Sequence, residues 1–234
     1  MCLLNDKRIA TCSYDKSIRI YSPSTDYQCN DVIQRHTDDI TSICQLNNGT
    51  IVSCSNDKSI IIGEHIINNA HDDWIIKVIS LPNNRIASCS WDETIKIWTS
   101  LSSDIPFKVL KGHQDRINSI LYVKEKDILI SGSLDNTLRM WNMSTYQCMS
   151  IIEGVSYIYG NALYMINKEV VIVGFVNEFY IVNINKCIIE SCIKDKELQC
   201  VFCFLMLRDN KTIICGCQKG LVCLYDYKTK KYSM

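Results

Sequence analysis

Six copies of one thirteen-residue block, a near-constant spacing between them and four short strand-like runs per copy predict an all-β fold. The architecture expected is a β-propeller of about six four-stranded antiparallel blades. The block reads IATCSYDKSIRIY ending at Tyr21, IVSCSNDKSIIIG ending at Gly63, IASCSWDETIKIW ending at Trp98 and LISGSLDNTLRMW ending at Trp141. Two weaker copies follow, VIVGFVNEFYIVN ending at Asn183 and IICGCQKGLVCLY ending at Tyr225. The positions equivalent to the block's aspartate are Asp15, Asp57, Asp92, Asp135, Asn177 and Lys219, at spacings of 42, 35, 43, 42 and 42 residues.

The third copy shows the elements in order. Ile75 to Leu81 is an apolar run closed by the turn Pro82-Asn83-Asn84, and Ile86 to Ser90 is a second run. A tight turn at Trp91-Asp92-Glu93 leads into Thr94 to Trp98, which alternates polar and apolar with the period of a half-buried strand. Pro106 to Leu110 is the fourth, outer run. One such sheet cannot bury both faces, whereas radial stacking of several sheets does. No segment carries helix-length periodicity. The blades are expected at residues 1–35, 36–70, 71–112, 113–153, 154–195 and 196–234 of a single domain. The second repeat is seven residues short, so the segment after Gly63 should be a clipped outer strand.

The length equals about 5.6 units of 42 residues. Aligned on the second copy, Met1 matches Ile43, already inside a first strand, so an incomplete first blade is expected. Lys230 to Met234 supplies only a stub of a fourth strand. Two explanations stay open: a piece of a longer protein, or six blades closing into a ring with a weakly latched seam.

Composition bounds the function. Hydrophobic residues at 47% and charged residues at 21% place the chain among globular proteins, not disordered ones. Lys+Arg and Asp+Glu are both 25, and the resulting zero net charge argues against a nucleic-acid partner or an anionic membrane bound through bulk electrostatics. The longest apolar run, Cys200 to Leu207, is eight residues, far below the ~18–20 that span a bilayer. No cationic stretch followed by an apolar one opens the chain, so the 14 cysteines are expected to be reduced thiols in a cytoplasmic, or alternatively nuclear, protein.

The chain resembles the WD-repeat family over nearly its whole length. The third copy carries Ala70-His71, Ser88-Cys89-Ser90-Trp91-Asp92 and Ile97-Trp98; the fourth carries Gly112-His113, Ser131-Gly132-Ser133-Leu134-Asp135 and Met140-Trp141-Asn142. These match the family's Gly-His, Ser-Gly-Ser-x-Asp and Trp-Asp elements in order and spacing, with Thr99 or Asn142 in place of the last Asp. The resemblance implies a hydrogen-bonded tetrad of His, Ser, Asp and Trp in each complete blade. Carried over, these are His71, Ser88, Asp92 and Trp98 in the third blade and His113, Ser131, Asp135 and Trp141 in the fourth. The second keeps His36, Ser53 and Asp57 but has Gly63 where Trp belongs. The first keeps Thr11, Asp15 and Tyr21; the fifth has Val155, Asn177 and Asn183; the sixth has Glu197, Lys219 and Tyr225. Such a tetrad satisfies buried polar groups, each bond contributing roughly 0.5–1.5 kcal/mol net.

Ser, His and Asp in mutual contact also describe a hydrolase triad. Here the serine hydroxyl is read as occupied by the indole and the turn Asp as near-surface, and no Gly-x-Ser-x-Gly elbow occurs, so the chain is expected not to be an enzyme. Cys200-x-x-Cys203 followed by Cys215-x-Cys217 invites a zinc reading. Packing is favoured, because Cys12, Cys54 and Cys89 fill the second-strand slot held by Gly132 and Gly216 in sister repeats, and residues 200 and 203 would face opposite ways on one strand. No metal and no cofactor are expected.

The resemblance implies that a protein or peptide partner binds on the rim around the central channel. The rim positions are Tyr14, Asn56, Trp91, Leu134, Val176 and Gln218, with Asp39, Trp74 and Arg116 at the starts of first strands. Trp91, Trp74 and Arg116 stand out, since Trp and Arg are enriched at interface hot spots; the alternative for Trp74 is packing over the neighbouring turn. A non-catalytic interaction scaffold is the function expected. The alternative is a substrate-recruiting or regulatory module of a larger protein, such as a ubiquitin-ligase adaptor or a kinase.

Overall fold

The computed structural model describes residues 1–99, 104–155, 163–194 and 200–233. It is all-β, with six four-stranded antiparallel sheets as the blades of a propeller arrangement. Helical structure among the described residues amounts to four three-residue 3-10 turns. The chain forms two compact units, residues 1–117 and 118–234.

In the first unit, β1 (Cys2–Leu3), β2 (Ile9–Cys12), β3 (Ile18–Ser22) and β4 (Gln28–Ile33) make the first sheet. The second is β5 (Ile40–Gln45), β6 (Ile51–Ser55), β7 (Ile60–Ile62) and β8 (His65–Ile67). The third is β9 (Ile75–Leu81), β10 (Arg85–Ser90), β11 (Ile95–Trp98) and β12 (Lys108–Leu110). The next sheet opens at the unit boundary with β13 (Ile117–Val123), then β14 (Ile128–Ser133), β15 (Thr137–Asn142) and β16 (Cys148–Glu153). In the second unit follow β17 (Leu163–Met165), β18 (Val170–Gly174), β19 (Glu178–Asn183) and β20 (Ile188–Lys194). The sixth sheet is β21 (Val201–Met206), β22 (Thr212–Cys217), β23 (Val222–Asp226) and β24 (Lys231–Ser233).

One expectation is met and one needs correction. The first blade's inner strand is shortened, as the alignment of Met1 on Ile43 implied: β1 is two residues and pairs Cys2 with Ala10 and Leu3 with Ile9. The outer strand of the third blade starts at Lys108 rather than Pro106, since a proline has no N–H for a ladder. The clipped outer strand after Gly63 is β8, three residues reached by the two-residue turn Gly63-Glu64.

The tight hairpin between second and third strands has a shared cause. Lys16, Lys58, Glu93 and Asn136, each following a turn Asp, take a left-handed φ of 63° to 67°. For a non-glycine residue that costs about 1–2 kcal/mol. The preceding carboxylate offsets it: Asp57 Oδ1 accepts from Ser59 N–H (2.9 Å) and Oγ–H (2.6 Å), and Asp92 Oδ1 from Thr94 N–H (3.0 Å) and Oγ1–H (2.7 Å). Asp15 with Ser17 and Asp135 with Thr137 repeat the pattern.

Apolar faces close between neighbouring sheets within each unit. Ala10, Ile18 and Ile20 meet Ile40 and Ile43 between the first and second sheets. Ile60, Ile62 and Ile67 meet Ile75, Ile86 and Trp98 between the second and third. In the second unit, Ile130, Leu138 and Met140 pack with Val171, Val173 and Tyr180, while Ile172, Phe179 and Ile181 pack with Phe204, Cys215 and Tyr225.

Candidate functional site

In the third sheet the polar relay is complete. Trp98 Nε1–H donates to Ser88 Oγ (2.9 Å), Ser88 Oγ lies 2.7 Å from His71 Nε2, and His71 Nδ1 lies 2.7 Å from Asp92 Oδ2. A carboxylate only accepts, so Nδ1 carries the proton, Nε2 accepts from the serine hydroxyl, and the serine oxygen is left to accept from the indole. Burial pushes the His71 pKa down, against the pull of Asp92, and keeps the ring neutral at pH 7. Burial alone would raise Asp92; the bonds from His71 and Thr94 and the backbone N–H of Asp72 outweigh it and hold the carboxyl well below the usual range.

In the fourth sheet Trp141 Nε1–H donates to Ser131 Oγ (2.8 Å), Asp135 holds its turn, and His113 is buried. In the second sheet His36 Nε2 lies 2.9 Å from Ser53 Oγ and Nδ1 3.0 Å from Asp57 Oδ2, with no Trp above them because Gly63 occupies that register position. Burial raises Asp57, and the bonds from His36, Ser59 and Thr37 more than reverse it.

These distances correct the reading of the turn aspartate. The Asp92 side chain is only 5% exposed, so it is a buried orienter rather than a near-surface group. Occupation by an indole also does not extend to Ser53. Ser53 sits mid-strand, paired with Ile43 on one side and Ile61 on the other, so its flanking backbone is committed to the sheet.

Three rim positions of the first unit, Trp74, Trp91 and Arg116, form one cluster. Trp74 stacks on Trp91 with centroids 4.5 Å apart and planes 29° from parallel. The Arg116 guanidinium carbon lies 4.2 Å from the centre of the Trp91 ring. Both groups therefore pack against the one indole of Trp91. The backbone fixes this: Trp91 N–H donates to Trp74 O (3.0 Å), as Asn56 N–H donates to Asp39 O (3.0 Å) one blade earlier. Asp73 and Asp115 cap the N–H groups of Trp74 (2.8 Å) and Arg116 (2.7 Å). Trp74 thus packs on the neighbouring turn and is also 38% exposed; Arg116 is exposed and Tyr14 is 75% exposed. Asn56 Oδ1 is buried without a partner among the described residues. In the second unit Leu134 is half-buried, and Val176 and Gln218 are exposed.

The cysteine reading also needs one correction. Cys200 precedes β21, and the strand is irregular between Val201 and Cys203, so residues 200 and 203 do not sit on one regular strand. Cys54 and Cys89 are buried, and desolvation pushes Cys89 up to about 12, which keeps it a thiol. Gly216 fills the same slot because a Cβ there would come within 2.6 Å of Cys203 Sγ. Among the described residues no group of three or more His, Cys, Asp or Glu is placed to hold a metal ion.

Two features escaped the sequence reading. One is the Ser or Thr two residues after each turn Asp, visible as Asp-x-Ser/Thr at 15–17, 57–59, 92–94 and 135–137. The other is Glu178, 6% exposed in the fifth sheet, which accepts from Tyr180 Oη–H (2.6 Å) and pairs with Lys194 Nζ (2.9 Å). Glu178 and Lys194 are cross-strand partners, so the blade that lacks a tetrad holds a different polar centre. Glu197 lies outside the described residues.

Comparison with known proteins agrees with this geometry. A family model described as WD domain, G-beta repeat (WD40) matches residues 2–22, 27–62, 65–99 and 105–142, more than half of the chain. The chain is 29% identical over 135 residues to WD repeat-containing protein 89 homolog of Dictyostelium discoideum, covering 56% of this chain and 36% of that protein. It is 35% identical over 62 residues to Nuclear distribution protein nudF 1 of Talaromyces marneffei, 26% of this chain and 14% of the relative. It is 36% identical over 60 residues to Nuclear distribution protein nudF of Aspergillus niger, 25% of this chain and again 14% of the relative. The chain therefore spans about a third of the length of the first relative and about a seventh of the other two. Repeat matches over four sheets, with a His-Ser-Asp relay in the second and third of them and its Trp-Ser link in the third and fourth, place the chain in the WD40 repeat family.

Proposed function

We propose that the chain is a non-catalytic scaffold that binds an acidic protein segment through Trp74, Trp91 and Arg116. WD40 propellers are in general protein-interaction scaffolds. The observation that carries the finer reading is the cluster in which Trp74 stacks on Trp91 and the Arg116 guanidinium lies over the same indole. Stacking restrains the Arg116 side chain before any partner arrives, which lowers the ordering cost of binding. Among the described residues no carboxylate pairs with Arg116, so its N–H fork stays available for one. The exposed part of Trp74 supplies an apolar anchor beside that charge.

The test is affinity purification with mass spectrometry, comparing wild type, Trp91→Ala, Arg116→Ala and a control, Val32→Ser, on the exposed outer strand β4. Trp91→Ala and Arg116→Ala are expected to cost about 2 kcal/mol or more of binding, enough to lose the partner, while the control retains it. Unchanged recovery of every partner by both rim variants rejects the site.

A further inference from the structure

The glycine that replaces the relay's Trp in the second blade leaves a space behind. Gly63 N–H donates to Ile51 O (2.9 Å), the cross-strand position at which Trp98 faces Ile86 in the third blade. The substitution follows from the clipped hairpin. Gly63 is the first residue of a two-residue turn and has φ +58°, a left-handed conformation that favours glycine. A Cβ there would also stand 3.2 Å from Thr50 Cγ2.

A cavity of about 450 Å³ opens there, within the range of roughly 300–1,000 Å³ of small-molecule sites. It is lined by Ile18, Ile33, Ile40, Ile51 and Ile61, with His36, Ser53 and Gly63 at the relay end. Its walls match those around Trp98. Ile18 and Ile33 are cross-strand partners, just as Ile60 and Ile67 are one blade on, and that second pair belongs to the core cluster of Trp98. The polar end matches as well. Ser53 Oγ serves His36 Nε2, so its oxygen keeps the acceptor capacity that Ser88 spends on Trp98 Nε1–H. Among the described residues Ser53 Oγ has no other hydrogen-bond partner. At the mouth, the Arg35 guanidinium donates to Gly63 O (3.0 Å) and pairs with the Glu64 carboxylate, which puts a cation where it can cover an aromatic ring.

We propose that this cavity binds an indole ring, supplied by a ligand, whose N–H donates to Ser53 Oγ while its ring lies among Ile18, Ile33 and Ile51. The ligand restores from outside the contact that Trp98 makes from within the chain. Indole occurs as a free small molecule and as the Trp side chain of a polypeptide, and the two are separable.

The experiment titrates wild-type protein with indole, 1-methylindole and N-acetyltryptophanamide by ligand-observed NMR and calorimetry. It repeats the titration on Ser53→Ala and on Ile33→Trp, which fills the cavity from the half-buried end of β4. Circular dichroism checks that each variant is folded. Saturable indole binding is expected, with 1-methylindole about tenfold weaker for want of the donor. Ser53→Ala should erase the difference between the two ligands, and Ile33→Trp should abolish binding. N-acetyltryptophanamide binding with the same dependence on Ser53 identifies a polypeptide Trp as the ligand, and binding of free indole alone identifies a small molecule. No saturable binding to wild type, equal affinity for 1-methylindole, or full binding by folded Ile33→Trp overturns the proposal.

Discussion

Ser88 does two jobs with one oxygen. It gives its proton to His71 and takes one from Trp98, so both partners depend on it. Ser53 holds the same position one blade earlier with only His36 to serve. Replacing Ser88 by Ala leaves a buried indole N–H and a buried imidazole nitrogen unpaired; replacing Ser53 leaves one nitrogen. Each orphaned group costs about 1–3 kcal/mol, so Ser88→Ala should destabilise by about 2–6 kcal/mol and Ser53→Ala by about 1–3 kcal/mol in urea unfolding. Equal losses would show that the relay does not couple its members. These roles were legible in the sequence because each residue repeats at fixed offsets within the block. Glu178 was not legible: its partners Tyr180 and Lys194 become neighbours only through side-chain direction and register in β19 and β20.

An element's fate turns on how it closes. The third sheet ends β11 with Trp98 and reaches its outer strand by a long connection, whereas the second turns after Ile62 at Gly63-Glu64. The shortened spacing foretold the clipped strand. It did not foretell the cavity, because that depends on which neighbouring residues would have touched the missing indole. The pH behaviour also belongs to this scale. His71 in the folded third sheet has a pKa below 6.5, so the unfolded chain takes up a proton first on acidification. Its contribution to stability is present above pH 6.5 and is lost as pH falls from there towards its folded value. Asp92 is held well below 3.8, so its contribution is present above pH 3.8 and is lost as pH falls further. The melting temperature should decline as pH falls below about 6.5, with a second decline below about pH 4. Asp92→Asn should weaken the second decline in a scan of melting temperature against pH. An unchanged acid limb would contradict the assigned hydrogen bonds.

For the whole molecule, charge and repeat decide different things. With 25 cationic and 25 anionic side chains, no net field gathers polyanions. The protein is expected to pass through a heparin column at about 0.15 M salt, and to show no steep salt-dependent binding to DNA or RNA. Retention beyond about 0.5 M salt would mean that a local basic patch overrides the balance.

The sequence by itself determined the class, the number of sheets, the strand order and the members of the relays. Strand period and block period are local properties, readable along the chain without knowing what lies across from what. Only the tertiary structure decided that Trp74, Trp91 and Arg116 stack, that the turn carboxylate of Asp92 is buried, and that Gly63 leaves a cavity ending at Ser53. Each of those depends on side chains tens of residues apart meeting across strands and between sheets.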